Sequence, residues 1–170
     1  IRIMIVDDHP LFVDGIKLLL KGEKSVSIIA EAKDGEDCIA KVKKENPDVL
    51  LLDFHIPKIN GAEVTRRLKE DDNPVKILAL SADDDTRAVQ EMMNSGASGY
   101  LLKSSQRKEI MDAVNKVFDG GKYLPQNILL KALDHLTSNE NGNSTNRVPA
   151  MVKKFSDREM EVLRLMGKEL

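Results

Sequence analysis

An α/β doubly wound fold with a five-stranded parallel sheet is predicted by three features of this sequence. Five short apolar runs recur along the first 121 residues, and helix-length amphipathic segments separate them. Strand followed by helix, repeated five times, is the pattern of a parallel sheet with helices on both faces. Most of the runs are continuously apolar rather than alternating, as buried parallel strands require.

The runs are Ile1–Val6, Val26–Ala30, Val49–Leu52, Val75–Leu80 and Gly99–Leu102. Helices are expected near 10–22, 34–45, 60–70, 84–95 and 104–119, joined to the strands by right-handed crossovers. Phe12, Ile16, Leu19 and Leu20 space the first helix. Pro10 suits its first turn, where a backbone N–H would lack a helical partner anyway. Asp83, Asp84 and Asp85 favour the positive N-terminal end of the fourth helix. Val89, Met92 and Met93 give that helix one apolar face, and Gly96 ends it. Ile110, Ala113, Val114 and Val117 line the core side of the fifth, which stops at Gly120-Gly121.

Beyond Gly121 the composition changes. Pro125 is placed to open a sixth helix over 126–136. Residues 138–146 contain no apolar side chain and read as a flexible linker. Ser156-Asp157-Arg158-Glu159 then matches a capping box, followed by Met160, Leu163 and Met166 on one stripe. A lone short helix cannot bury such a stripe, so it is expected to be either frayed or docked on its own chain or a second copy, docking on a second copy giving a dimer. The expected organisation is a domain at 1–121, a connecting region at 122–154, and the start of a further domain at 155–170.

The 26 Lys and Arg residues nearly balance 28 Asp and Glu, a net charge of −2. That excludes a chain that coats nucleic acid through bulk positive charge. A hydrophobic content of 41% over 170 residues is enough for a core without disulfide or metal staples. There is no 18-residue apolar run, so no membrane span is expected, nor does a secretory signal open the sequence. The single cysteine, Cys38, has no internal disulfide partner and fits a reducing, cytoplasmic setting.

The chemistry is carried by the residues just past the end of each run. Ile1–Val6 leads into Asp7-Asp8, Val49–Leu52 into Asp53, Val75–Leu80 into Ser81, and Gly99–Leu102 into Lys103. Ligands of open parallel sheets bind beyond the carboxyl ends of the strands. Three carboxylates, a hydroxyl and an ammonium should therefore share one crevice. Taken singly, each acid is an ordinary helix cap. Together they cannot all stay ionised without a counter-charge. All-oxygen ligands suit a hard cation such as Mg²⁺. Cation, ammonium and hydroxyl can stabilise a transferring phosphoryl group, and a central carboxylate can accept it as an aspartyl phosphate. His9, His55 and His135 show no ligand spacing, and no imidazole role is expected of them.

These residues resemble the receiver domain of two-component response regulators. The acid pair Asp7-Asp8, the acceptor Asp53, Ser81, Tyr100 and Lys103 match, as does the loop from Asp53 to Gly61 with Pro57 in place. Residues Val6–Pro10 and Phe155–Leu165 resemble the LuxR-type (NarL/FixJ) subfamily, in which a receiver is joined to a helix-turn-helix domain. The resemblance implies a regulator rather than an enzyme, although one that assists its own phosphorylation and dephosphorylation. A sensor histidine kinase would phosphorylate Asp53. Asp8, Asp53 and the backbone carbonyl of His55 would hold Mg²⁺, with Asp7 binding directly or through water. Lys103 and Ser81 would contact the phosphoryl oxygens. Tyr100 would swing inward behind Ser81, or else is a permanently buried aromatic. Phosphorylation would drive homodimerisation, and promoter DNA would be bound only through the full-length C-terminal domain. No membrane partner is implied.

The sequence departs from the family in places. Ser104 follows the lysine where many members have a cis proline, so Lys103-Ser104 is expected to be trans or strained. Ile56 replaces a common Met of similar volume. Sixteen residues from Phe155 to Leu170 leave room for one helix and not for a recognition helix. Two other functions compete. A haloacid-dehalogenase-type phosphohydrolase needs an acid two residues after its nucleophile, where this chain has His55. A stand-alone relay receiver would have no use for the capping box and apolar stripe near the end.

Overall fold

The computed structural model describes residues 1–82, 86–126, 128 and 129. Ten elements alternate: β1 (Arg2–Val6), α1 (Pro10–Leu20), β2 (Ser27–Ala32), α2 (Gly35–Glu45), β3 (Val49–Asp53), α3 (Gly61–Glu70), β4 (Lys76–Ser81), α4 (Thr86–Asn94), β5 (Gly99–Leu102) and α5 (Arg107–Phe118). All strand pairs are parallel, in the order β2-β1-β3-β4-β5. The chain leaves β1 for one side of the sheet, then crosses back to β3 on the other, which creates a switch point between them. The architecture is the doubly wound sheet that the apolar runs predict.

Strand side chains alternate between the two faces of the sheet. Ile3, Ile5, Val49, Leu51, Leu78, Leu80 and Leu101 pack with Val13, Ile16 and Leu20 of α1 and with Ile110, Ala113, Val114 and Val117 of α5. The intervening Met4, Val6, Leu50, Leu52, Ile77, Ala79 and Tyr100 are buried as well, so the second face is also covered. On that side α2 packs on β2 and β1, α4 packs on β5, and α3 lies between α2 and α4. Burial on both faces is why the strands read as apolar runs.

Local chemistry sets the ends of the elements. Pro10 is in the first turn of α1. Asp34 caps α2 by accepting from Glu36 N and Asp37 N, and Asn60 caps α3 by accepting from Glu63 N. Gly96, at φ 106°, turns the chain after α4. Several boundaries differ from expectation, three of them with a clear local cause. Strand β2 runs on to Ala32 because Glu31 is an exposed residue on an edge strand, where a charge is tolerated. Helix α1 stops at Leu20, two residues before Gly22 at φ 86°. Helix α5 starts at Arg107 because Ser105 N bonds to Leu102 O in a turn. No peptide bond among the described residues is cis, so Lys103-Ser104 is trans.

The chain divides into two compact units, Ile1–Pro125 and Gln126–Leu170. Residues 126, 128 and 129 are helical. The rest of the expected sixth helix, the 138–146 linker, the capping box with its apolar stripe, and Asp83–Asp85 lie outside the described residues.

The first turn of α3 is stitched to the end of β3. Gly61 N donates to Phe54 O at 2.9 Å, and a Cβ on Gly61 would lie 2.5 Å from Asp53 O. That neighbour is backbone and cannot step aside. Gly61→Ala is therefore expected to cost about 1–3 kcal/mol, the usual range for overpacking. Urea unfolding of the two proteins at one pH checks it.

Candidate functional site

Strand register brings the site together. Val6 pairs with Leu52, so the next residues, Asp7 and Asp53, stand side by side where β1 and β3 end. Asp53 pairs in turn with Leu80, and Ser81 with Leu102. Lys103 N donates to Ser81 O at 2.7 Å, and Phe54 N to Leu80 O at 3.1 Å. Asp7, Asp53 and Ser81 are all buried, at 1%, 2% and 3% exposure. Asp8 is turned further outward, toward solvent.

The Lys103 ammonium bridges the two buried carboxylates. Its Nζ lies 2.9 Å from Asp53 Oδ2 and 2.7 Å from Asp7 Oδ2. It also sits 4.9 Å from the centroid of the Phe12 ring, a cation–π contact. The contact with Asp53 is a hydrogen bond. That with Asp7 has ion-pair distance but not hydrogen-bond direction, so the buried Asp7 Oδ2 is left without a directed donor. Its compensation is the charge of the Lys103 ammonium rather than a directed hydrogen bond.

Charge and burial act in opposite directions here. Burial pushes the Asp53 carboxyl above its ordinary range. The hydrogen bond and charge of Lys103 oppose this, the charge of Asp7 reinforces it, and the His55 backbone N–H opposes it. For Lys103, burial pulls the ammonium down, but its contacts with Asp7 and Asp53 outweigh that and hold it above its ordinary range. Burial thus decides the direction for Asp53, and the two carboxylate partners decide it for Lys103.

A metal fits this excess of negative charge. Asp7, Asp8, His9 and Asp53 bring ligand atoms within 4.8 Å of one another. Three of the four are carboxylates, and one of their oxygens lacks a directed donor. That donor set suits a hard divalent cation. His9 is a member of this group that the sequence pattern does not predict. Its Nδ1 lies 2.8 Å from Asp8 Oδ1 and 3.1 Å from Asp7 Oδ1, and its backbone N donates to Asp7 Oδ1 at 2.9 Å. Position is the signal that could find it: His9 is the N-cap residue of α1, directly after the acid pair. The rings of Phe54 and His55 meet edge to face in the loop after β3. Tyr100, three residues before Lys103 on β5, is fully buried.

Two effects on stability are expected. Because the folded state favours neutral Asp53, ionising it costs stability as pH rises from its ordinary value of 3.8 through its higher folded value. Asp53→Asn is expected to melt above wild type at neutral pH, with the gap closing below 3.8 in a pH series of thermal scans. Millimolar Mg²⁺ is expected to raise the wild-type melting temperature, by neutralising carboxylates that only the folded chain holds together. Asp8→Ala should lose most of that rise.

Comparison with known proteins places the chain in a family. Residues 3–115 match the response regulator receiver domain. The transcriptional regulatory protein DegU of Brevibacillus brevis is 38% identical over 98% of this chain and 74% of its own length. LnrK of Bacillus subtilis, also a transcriptional regulatory protein, is 32% identical over 98% of this chain and 77% of its own. Among solved structures, a LuxR-family two-component response regulator from Aurantimonas is 27% identical with a TM-score of 0.75, covering 80% of this chain and 97% of that one. The NarL receiver domain of Mycobacterium tuberculosis is 38% identical with a TM-score of 0.68, over 71% and 97%. On the family match, the relatives and the fold together, the chain belongs to the response regulator receiver domain family, in its LuxR-type branch of transcriptional regulators.

Proposed function

We propose that Asp53 is the phosphoacceptor of a two-component regulator, taking its phosphoryl group from a phosphohistidine on a sensor histidine kinase. The observation that carries this is the buried Asp53 carboxylate, hydrogen-bonded to Lys103 and set beside the under-satisfied Asp7. A free Asp53 oxygen attacks phosphorus, and the phosphorus–nitrogen bond of the phosphohistidine breaks. The electron pair stays on the departing imidazole, which takes up a proton. Asp53 is left as an acyl phosphate.

Lys103 is already within 2.9 Å of the acceptor and follows the charge onto the phosphoryl oxygens. Ser81, whose strand end is bonded to Lys103 N, donates its hydroxyl to one of them. Asp7, Asp8, Asp53 and the His55 carbonyl would hold Mg²⁺, which supplies charge neutralisation at those oxygens when bound. Tyr100 is the residue proposed to report the change at Ser81 toward the face of β5. The phosphorylated protein would pair with a second copy and act on promoter DNA through the C-terminal domain of the full-length regulator.

The alternatives are weaker. The match to DegU and LnrK extends over 98% of the chain, through the tail that a stand-alone relay receiver would lack. His55 fills the place where a phosphohydrolase of the haloacid dehalogenase type needs an acid.

Intact mass after incubation with acetyl phosphate and Mg²⁺ tests the assignment. Wild type should gain one phosphoryl group and Asp53→Asn none. Lys103→Ala should be slowed by at least about 100-fold, the scale of losing one preorganised charge contact. A phosphorylated Asp53→Asn would overturn the assignment.

A further inference from the structure

Strand β5 has only four residues, yet both of its edges are occupied. One edge pairs with β4. The other meets the segment that follows α5. After Phe118 the chain turns through Gly120 and Gly121, with Gly121 N donating to Lys116 O, and comes back along β5. Tyr123 N donates to Ser98 O at 3.2 Å, and Tyr100 N donates to Tyr123 O at 2.9 Å. These two bonds form a parallel bridge between Gly99 and Tyr123.

The fit is tight. A Cβ on Gly99 would lie 2.6 Å from Tyr123 O, 3.0 Å from Tyr123 Cβ and 2.8 Å from Leu78 Cδ2. Glycine at 99 thus gives Tyr123 its seat. The Tyr123 hydroxyl reaches Glu109 of α5 in a long contact at 3.3 Å. Burial, with Glu109 next to it, pushes that phenol up to about 12, so it stays protonated and able to donate.

Tyr123 therefore closes the outer edge of a strand whose far end carries the site. Tyr100, bonded to Tyr123, lies three residues before Lys103. Lys103 in turn is hydrogen-bonded to Asp53 and the Ser81 carbonyl and ion-paired with Asp7. Two residues after Tyr123, at Pro125, the first unit ends. The peptide that leaves the domain is thus hydrogen-bonded to the strand that holds the phosphoryl-binding lysine.

We propose that Tyr123 and Gly99 form a clasp coupled to the phosphoryl site, closed while Lys103 is paired with unmodified Asp53 and loosened when a phosphoryl group draws Lys103 toward itself. The proposal rests on the phosphoacceptor reading of Asp53. Phosphorylation then frees the exit peptide from β5. Coupling between two sites is reciprocal, so opening the clasp must also favour the phosphoryl-bound state by the same factor.

The test uses the full 170-residue chain with Mg²⁺ and beryllofluoride, a phosphoryl mimic. Tyr123→Ala keeps the two backbone bonds but weakens the clasp, by removing the ring packed against the core and the hydroxyl that reaches Glu109. Tyr123→Phe removes only the Glu109 contact and guards against misfolding of the first variant. Beryllofluoride should bind Tyr123→Ala about fivefold tighter or more than wild type, the lower range of measured couplings, with Tyr123→Phe between them. In wild type, beryllofluoride should speed exchange of the Tyr100 amide, the donor to Tyr123 O, by a similar factor. Equal affinities in all three proteins with unchanged Tyr100 exchange would overturn the clasp and leave the site assignment standing. Wild type that binds no beryllofluoride would overturn the site assignment and the clasp with it.

Discussion

Two carboxylates and one ammonium, buried together at the carboxyl ends of three parallel strands, are the constraint on which the rest of this structure depends. Asp7 and Asp53 are fixed by the pairing of β1 with β3, and Lys103 by its bond to the end of β4. Lys103 cannot leave without exposing two buried carboxylates to each other in a low-dielectric setting. Nor does the arrangement balance in itself, since one ammonium faces two carboxylates and Asp8 adds a third close by. An electrostatic deficit of this kind is unfavourable for folding and useful for chemistry. It leaves the site ready for a divalent cation and favours a neutral Asp53.

The surrounding loops keep that deficit from relaxing. Gly61 presses α3 against the carbonyl of Asp53, and Asn60 caps the helix from the same turn. Further out, Gly35 N donates to Pro57 O, and Lys58 lies within 3.2 Å of both Asp34 and Glu36. The loop that carries His55 is thereby tied to the first turn of α2. On the opposite side, Phe12 from α1 covers the Lys103 ammonium with its ring, so the lysine is partly desolvated and aimed inward. Helices on both faces of the sheet thus contribute to placing one charge.

β5 stands where these demands meet the outside of the domain. It is short, it ends in the lysine, and its free edge is taken by the peptide leaving the domain. An edge strand left open would invite pairing with another chain. Here the edge is closed by the chain itself, with Gly99 providing the space. The same contact places the exit peptide within one hydrogen bond of Tyr100.

By itself the sequence determined the fold class, the identity of the strands and helices, and the set Asp7, Asp8, Asp53, Ser81 and Lys103. The reason is physical. Burial on both faces writes an apolar run for each strand, and ligand chemistry in such a sheet collects just after those runs. Tertiary structure alone decided what has no local period. His9 follows the acid pair in the chain, yet only the entry into α1 folds its Nδ1 between Asp7 and Asp8. Phe12 reads as one more apolar helix residue until the packed sheet brings Lys103 over its ring. Gly61 and Gly99 look like ordinary glycines, because the backbone atoms that exclude a Cβ belong to other segments. Tyr123 sits between the fifth and sixth predicted helices in a stretch without strand pattern. A single bridge made through backbone groups leaves no trace in side-chain periodicity, so its pairing with β5 could appear only once the chain had folded back on itself.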